Sequence, residues 1–182
     1  MISAPATTEV VENGELLVVN EENGNGHVVA ENGNGPAENK VKAGQKVNGK
    51  KFSILLAEDN EDFRFYLKDN LREAYEIIEA KNGTEGWQKA LGQHPDLVVS
   101  DIMMPEMSGI ELCRKLKEDV RTSHIPVILL TARSSEEIQM EGFSTGANDY
   151  ITKPFNFQIL VSRINNLLVQ QVNLKKSFQK QI

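Results

Sequence analysis

Apolar and polar residues follow two different rhythms along this chain, and the change falls near Lys51. Beyond it, short continuous apolar runs alternate with stretches in which apolar residues recur every three or four positions. "FSILLA" (52–57), "YEIIEA" (75–80), "DLVVSD" (96–101), "PVILLTA" (126–132) and "DYIT" (149–152) have the length and character of strands. Between them, "EDFRFYLKDNLRE" (61–73) puts Phe63, Leu67 and Leu71 at helical spacing, and "GTEGWQKAL" (83–91) reads as a short helix. "GIELCRKLKED" (109–119) carries Ile110, Leu112, Cys113 and Leu116 as a stripe, and "SSEEIQMEGFSTG" (134–146) predicts a fourth helix. A long last helix begins with "NFQILVSRINNLLVQQ" (156–171). Strands that are apolar almost throughout, each followed by a helix, predict an α/β fold: a parallel sheet covered by helices on both faces.

Residues 1–50 follow the other rhythm. They repeat an E-N-G unit in "ENGELLVVNEENGNGHVV" and "ENGNGPAENK" and offer few large apolar side chains. Ordering a backbone costs about 1–2 kcal/mol per residue, which such a segment cannot offset by burial, so it reads as a flexible linker or tail. The rival is a hairpin that pairs "LLVV" (16–19) with "HVVA" (27–30) around Asn-Gly turns; alone it would be marginal and would need a partner surface. The chain thus divides into a tail (1–50), a globular domain (51–170) and an extension of the last helix (171–182).

Composition narrows the class. A net charge of −6 over 182 residues argues against direct nucleic-acid contact. The single cysteine excludes an internal disulfide and suits a reducing compartment. No apolar run approaches the roughly 18 residues that span a bilayer, and "MISAPATTEV" lacks the basic and apolar regions of a signal peptide. The expectation is a cytoplasmic protein with no membrane contact by this segment.

In an open sheet of this kind, ligands sit beyond the carboxyl ends of the strands. The first strand ends in "AEDN", which places Glu58 and Asp59 there; the third ends in Asp101, the fourth in Thr131, and the fifth leads through Thr152 to Lys153 and Pro154. Taken singly these residues are bland. Asp59 or Asn60 could cap the first helix, Lys153 could be surface charge, and Thr131 a β-branched strand residue. Together they make an acid cluster with one ammonium and a charge near −2. Two carboxylates about 5 Å apart repel by roughly 3 kcal/mol at an effective dielectric near 20. A divalent cation fits that deficit, and hard oxygen donors with no His or Cys cluster point to magnesium with a phosphoryl group as its companion.

The stretches "ILLAEDN", "DLVVSDIMMPEMSG", "VILLTA" and "DYITKPF", in that order, closely resemble the receiver domain of two-component response regulators, over about Lys51 to Gln170. The resemblance implies a flavodoxin-like, doubly wound (βα)5 fold with a five-stranded parallel sheet in the order 2-1-3-4-5. It implies that Asp101 is the phosphoacceptor, taking a phosphoryl group from a kinase histidine in a magnesium-dependent reaction. Asp101, Thr131 and Lys153 would be the reacting and phosphate-binding residues. Glu58, Asp59, Asp101 and the backbone carbonyl of Met103 would form the metal site, with Asp59 the direct ligand and Glu58 acting through water. Thr131 and Tyr150 would be the switch residues, and Lys153–Pro154 a cis peptide. Ser108 stands where many receivers have Asp, outside the acid pocket.

On this reading the chain is a signalling switch rather than an enzyme, although it promotes its own phosphorylation and dephosphorylation. Its partner is a histidine kinase, in cis or in trans, and the whole resembles the receiver of a hybrid histidine kinase. A phosphohydrolase with an aspartyl-phosphate intermediate would place a second Asp two residues after the nucleophile, where Met103 stands. A receiver acting unphosphorylated as a scaffold would not need the intact acids, Thr131 and Lys153. His27, His94 and His124 read as surface or linker residues, Cys113 as core, Trp87 as partial packing, and Met104 and Met107 as gap-filling or loop support. No Pro or Gly interrupts Asn156 to Ile182, so the last helix should overhang the domain, with Val169, Val172, Leu174 and Phe178 in its far half. A homodimer through these last helices follows as an expectation; fraying after Gln170 is the alternative.

Overall fold

The computed structural model describes residues 7–12, 15–20, 49–132 and 145–179. The five apolar runs beyond Lys51 are strands: β3 (Ser53–Ala57), β4 (Glu76–Ala80), β5 (Leu97–Asp101), β6 (Val127–Thr131) and β7 (Asp149–Thr152) follow β1 (Thr7–Glu12) and β2 (Glu15–Asn20). They form one sheet in the order β4-β3-β5-β6-β7, with every neighbouring pair parallel. Counted within this sheet, that is the expected order 2-1-3-4-5, and the fold is the flavodoxin-like one. Every residue of the inner strands β5 and β6 is buried, as continuous apolar runs in a sheet covered on both faces must be.

Successive side chains leave a strand on opposite faces, so each inner strand feeds two cores. Ile54, Leu56, Val99, Ile128 and Leu130 pack with Phe63, Leu67 and Leu71 of α1 (Glu61–Leu71), and with Leu160, Ile164 and Leu168 of the last helix, α4 (Phe157–Gln179). Leu55, Val98, Val127 and Leu129 face the other way, onto Ala90 of α2 (Gly83–Gln93) and onto Leu112, Cys113 and Leu116 of α3 (Gly109–Glu118). The helix spacing read from sequence is therefore the spacing of the core. The segment expected to form another helix, 134–146, lies almost wholly outside the described residues.

Local chemistry starts each of the first three helices. Asn60 and Asn82 accept hydrogen bonds from the Phe63 and Glu85 backbone N–H groups at 2.9 and 2.8 Å, which satisfies N–H groups a helix start leaves open. Ser108 and Glu111 form a reciprocal capping box on α3. The departure from the family pattern at Ser108 is thus a cap. α4 runs unbroken through Gln179, roughly 35 Å at 1.5 Å per residue, so the helix continues well past Gln170. It stays on the domain at least as far as Val172, which packs against the first core, and Gln171 Nε2 donates to the His124 carbonyl at 2.6 Å. Leu174, one turn further, is 59% exposed.

Where it is described, the N-terminal segment differs from the flexible tail expected. Residues 7–12 and 15–20 are two antiparallel strands, with Glu12 opposite Glu15 and Thr7 opposite Asn20. The pairing also differs from the rival hairpin: "LLVV" falls within β2, its partner is β1, and "HVVA" lies outside the described residues. The partner surface that the sequence did not show is β8 (Phe155–Asn156), whose backbone pairs with Val10 and Val11 of β1. Low apolar content argued only against burial; edge pairing draws on backbone hydrogen bonds, which composition does not report.

Two glycines separate close packing from simple flexibility. A Cβ on Gly109 would meet the Asp101 carbonyl oxygen at 2.1 Å and Ser100 Oγ at 2.9 Å, whereas one on Gly92 meets nothing within 4 Å among the described residues. Gly109→Ala should therefore lower stability by about 1–3 kcal/mol, as overpacking does. Gly92→Ala, in a helix, should raise it by roughly 0.5–1 kcal/mol. Urea unfolding midpoints moving in opposite directions for the two variants check this.

Candidate functional site

The sheet register lines up the strand ends. Ala57 pairs with Ala80 on one side and Ser100 on the other, so Glu58 comes level with Asp101. Asp101 pairs with Leu130, and Thr131 with Thr152, so Lys153 follows directly. Backbone bonds continue past the strands: Glu58 N–H donates to the Ala80 carbonyl at 3.0 Å and Lys153 N–H to the Thr131 carbonyl at 2.6 Å. The Lys153–Pro154 peptide is cis, as the resemblance implied.

On that edge, carboxylate oxygens of Glu58, Asp59 and Asp101 all lie within 4.8 Å of one another. Glu58 and Asp101 are buried, and Asp59 is exposed. Lys153 Nζ reaches Asp101 Oδ1 at 2.9 Å and Glu58 Oε2 at 3.5 Å, its side chain only 8% exposed. It also lies over the Phe63 ring, 4.6 Å from the centroid. The Met103 N–H donates to Asp101 Oδ2 at 3.0 Å, so both Asp101 oxygens are held. Glu58 Oε1 accepts from the Asn60 N–H at 3.1 Å, while the buried Oε2 has no hydrogen-bond partner among the described residues. Burial, reinforced by the neighbouring acids and opposed by Lys153 and the Asn60 N–H, pushes the Glu58 carboxyl up to about 7.

Four of the residues expected from sequence thus meet: Glu58, Asp59, Asp101 and Lys153. Thr131 is buried at the end of the strand beside Asp101. Tyr150 is half-buried, and its hydroxyl shares a hydrogen bond with Thr145 Oγ1, which itself accepts the Ala147 N–H. The Met103 side chain is 68% exposed, while Met104 and Met107 pack on the second core. Sequence reasoning missed Arg64, whose Nη1 donates to the Glu58 carbonyl at 2.7 Å and whose Nε sits 3.5 Å from Glu79. It also missed the ring of Phe63 beneath Lys153; helical spacing marks Phe63 as core but does not show what its ring meets. His94 and His124 are exposed and Cys113 is buried, in line with the surface and core readings; His27 lies outside the described residues.

The donor set passes a physical test for a small divalent cation. Three converging carboxylates carry more negative charge than one ammonium balances, one buried oxygen accepts no hydrogen bond among the described residues and has only the Lys153 ammonium at 3.5 Å, and all the donors are hard oxygens of the kind magnesium takes.

The sequence matches the response regulator receiver domain over residues 54–165, more than half of its length. The chain belongs to the response regulator receiver family. It is 47% identical, over 128 residues and 70% of its length, to histidine kinase P4 of Formosa agariphila, and spans 9% of that protein. Its fold is similar to the signal receiver domain of a signal transduction histidine kinase from Syntrophus aciditrophicus (38% identity, 65% of this chain and 91% of that chain, TM-score 0.62). It is also similar to the response regulator TrrA of Thermotoga maritima, solved in complex with Mg(2+)-BeF (35% identity, 64% and 98% coverage, TM-score 0.58). Among the described residues, no helix of this receiver is long and apolar enough to cross a membrane.

The raised Glu58 carboxyl makes the receiver's stability depend on pH. A folded value of about 7 against an ordinary 4.5 means that the metal-free fold binds this proton more tightly than the unfolded chain does. The resulting penalty is absent below about pH 4.5, grows as pH rises, and is complete above about pH 7. Glu58→Gln removes it. In a chelator-containing buffer the variant should be more stable than the parent by roughly 1–3 kcal/mol at pH 8. At pH 5 the difference should nearly vanish. Urea titrations at the two pH values check the sign and the trend.

Proposed function

We propose that this receiver takes a phosphoryl group from a kinase histidine onto Asp101, in a magnesium-dependent reaction, and converts that charge change into a change of its output face. The observation that carries the reading is the held carboxylate: Asp101, buried at a strand end, has one oxygen on Lys153 Nζ and the other on the Met103 N–H, inside a cluster of acids. Asp59, Asp101 and the Met103 carbonyl would hold the metal, with Glu58 contacting it through water. When bound, magnesium would offset the surplus negative charge and bind an oxygen of the transferring group.

The residues of the chain do the positioning. One Asp101 oxygen forms the new P–O bond as the P–N bond to the donor imidazole breaks, and the electron pair leaves with that nitrogen, which takes up a proton. Lys153 donates to a phosphoryl oxygen, and the Thr131 hydroxyl to another. A nucleophile fixed on a rigid sheet needs little further ordering to attack in line. Hydrolysis later returns the carboxylate and releases inorganic phosphate. Thr131 and Tyr150 act as the switch pair, and the readout passes to the face that includes β7 and α4.

The division at 51–170 and 171–182 separates this switch from the far end of α4. Leu174 is exposed there, and we read the extension as a signalling helix that pairs with a second copy. Histidine kinases are the partner class, in cis or in trans, and a cytoplasmic location fits that partnership.

Incubation of the full chain with magnesium and a small acyl-phosphate donor, followed by intact mass, tests the central claim. One phosphoryl group should be gained, and Asp101→Ala should gain none; undiminished labelling of that variant would sink the assignment. For the helix, sedimentation should show stronger self-association in the phosphorylated protein, lost on removal of 171–182. Identical monomers with and without the extension, phosphorylated or not, exclude pairing.

A further inference from the structure

Phe63 is 1% exposed, and from sequence it is only one apolar position of a helix. Its ring stacks near Tyr66, with centroids 6.3 Å apart and planes at 14°, and tilts against Phe155 at 6.3 Å and 59°. It is the same ring that lies under the Lys153 ammonium at 4.6 Å. One turn of chain ties it to the acids: Phe63 N–H donates to Asn60 Oδ1, and Asn60 N–H to Glu58 Oε1. The ring is thus fixed by core packing on one side and by the acid-bearing loop on the other.

An aromatic face carries negative potential and attracts an ammonium within about 6 Å, the more strongly where water is excluded. Lys153, with its side chain 8% exposed, is in that regime. Its other two neighbours both change in the proposed reaction. Asp101 becomes an acyl phosphate and loses its carboxylate charge, and a cation bound among the acids would offset the charge of Glu58 and repel the ammonium. The ring is altered by neither event. It also uses none of the three ammonium N–H donors, which stay available to Asp101 and to phosphoryl oxygens.

We propose that Phe63 is a positioning residue for phosphoryl transfer to Asp101, its ring face holding the Lys153 ammonium within reach of the incoming phosphoryl oxygens. This rests on the function proposed above, and no bond of that chemistry passes through the ring.

The test replaces Phe63 in the full chain with mono-, di- and trifluorinated phenylalanine, which drain charge from the ring face with little change of shape. With magnesium and a small acyl-phosphate donor, the rate of Asp101 labelling should fall stepwise, by about 2- to 30-fold across the series. In a Lys153→Met background the series should be flat. Urea midpoints, which report packing, should not follow the same order. Independently, the Lys153 ε-methylene protons of the unphosphorylated, metal-free chain should show an upfield ring-current shift that Phe63→Leu abolishes. A flat rate in the parent series, the same fall without Lys153, or an unchanged methylene shift in Phe63→Leu overturns the proposal and leaves the Asp101 assignment standing. Failure of the parent chain to label at all overturns both.

Discussion

Lys153 touches Asp101 and Glu58, and the whole edge of the sheet depends on that contact. Acids within 4.8 Å of one another repel by roughly 3 kcal/mol per charged pair at an effective dielectric near 20. One ammonium cannot balance them, and burial adds to the cost: it pushes the Glu58 carboxyl up, with Asp101 and Asp59 reinforcing the shift against Lys153, and one buried Glu58 oxygen accepts no hydrogen bond among the described residues. The fold therefore carries a local penalty at a defined place. Sites that must bind a cation and accept a charged group are where such a penalty has a use: whatever relieves the repulsion is bound more tightly because of it.

A penalty of this kind needs a scaffold that does not yield. The two-sided core supplies it. Ile54 and Leu56 face α1 and α4 while Leu55 and Ala57 face α2 and α3, so the strand before Glu58 is gripped from both sides. The strand that ends in Asp101 is buried along its whole length. Gly109 brings the start of α3 onto the Asp101 carbonyl so closely that a single methyl group would collide with it. A carboxylate on such a strand cannot swing away from its neighbours to escape them. The electrostatic cost is thus held in place by hydrophobic packing.

The sheet and the four charged residues of the pocket were legible from Phe52 to Phe155, while the strand order came only through the resemblance to receiver domains. The reason is physical: buried parallel strands write themselves as apolar runs, and residues at run ends fall into register once the strands align. Ser108 was legible only as a departure, and its capping box with Glu111 explains it locally. Arg64 and Phe63 were not legible as parts of the site. Their roles depend on which way a helix is rotated, and a helical stripe reports the buried side without saying what lies beneath it. β1 and β2 were not legible either, because their pairing with β8 is made by backbone groups. The Asn-Gly-rich text around them names turns but not partners.

Lys153 also stands at the junction between the pocket and the rest of the molecule. Its N–H bonds to the Thr131 carbonyl, Thr152 before it ends β7, and Phe155 after it enters both the first core and β8. Two residues before Thr152, the Tyr150 hydroxyl bonds Thr145 Oγ1, and Asp149 reaches Arg163 of α4 at 3.3 Å. A displacement of the ammonium, on the proposed reading, is therefore a displacement in the short connection that joins β7 to β8 and the start of α4. Surface charge pairs contribute little to stability, so the Asp149–Arg163 contact offers slight resistance. The cores offer a great deal, because close-packed interiors change by discrete repacking rather than by gradual strain. A charge event at Asp101 would be absorbed where resistance is least, in the half-buried contacts of Tyr150 and the α4 surface. On the proposed reading, the same packing that holds the acids together would direct the response outward, to the face where a partner would read it.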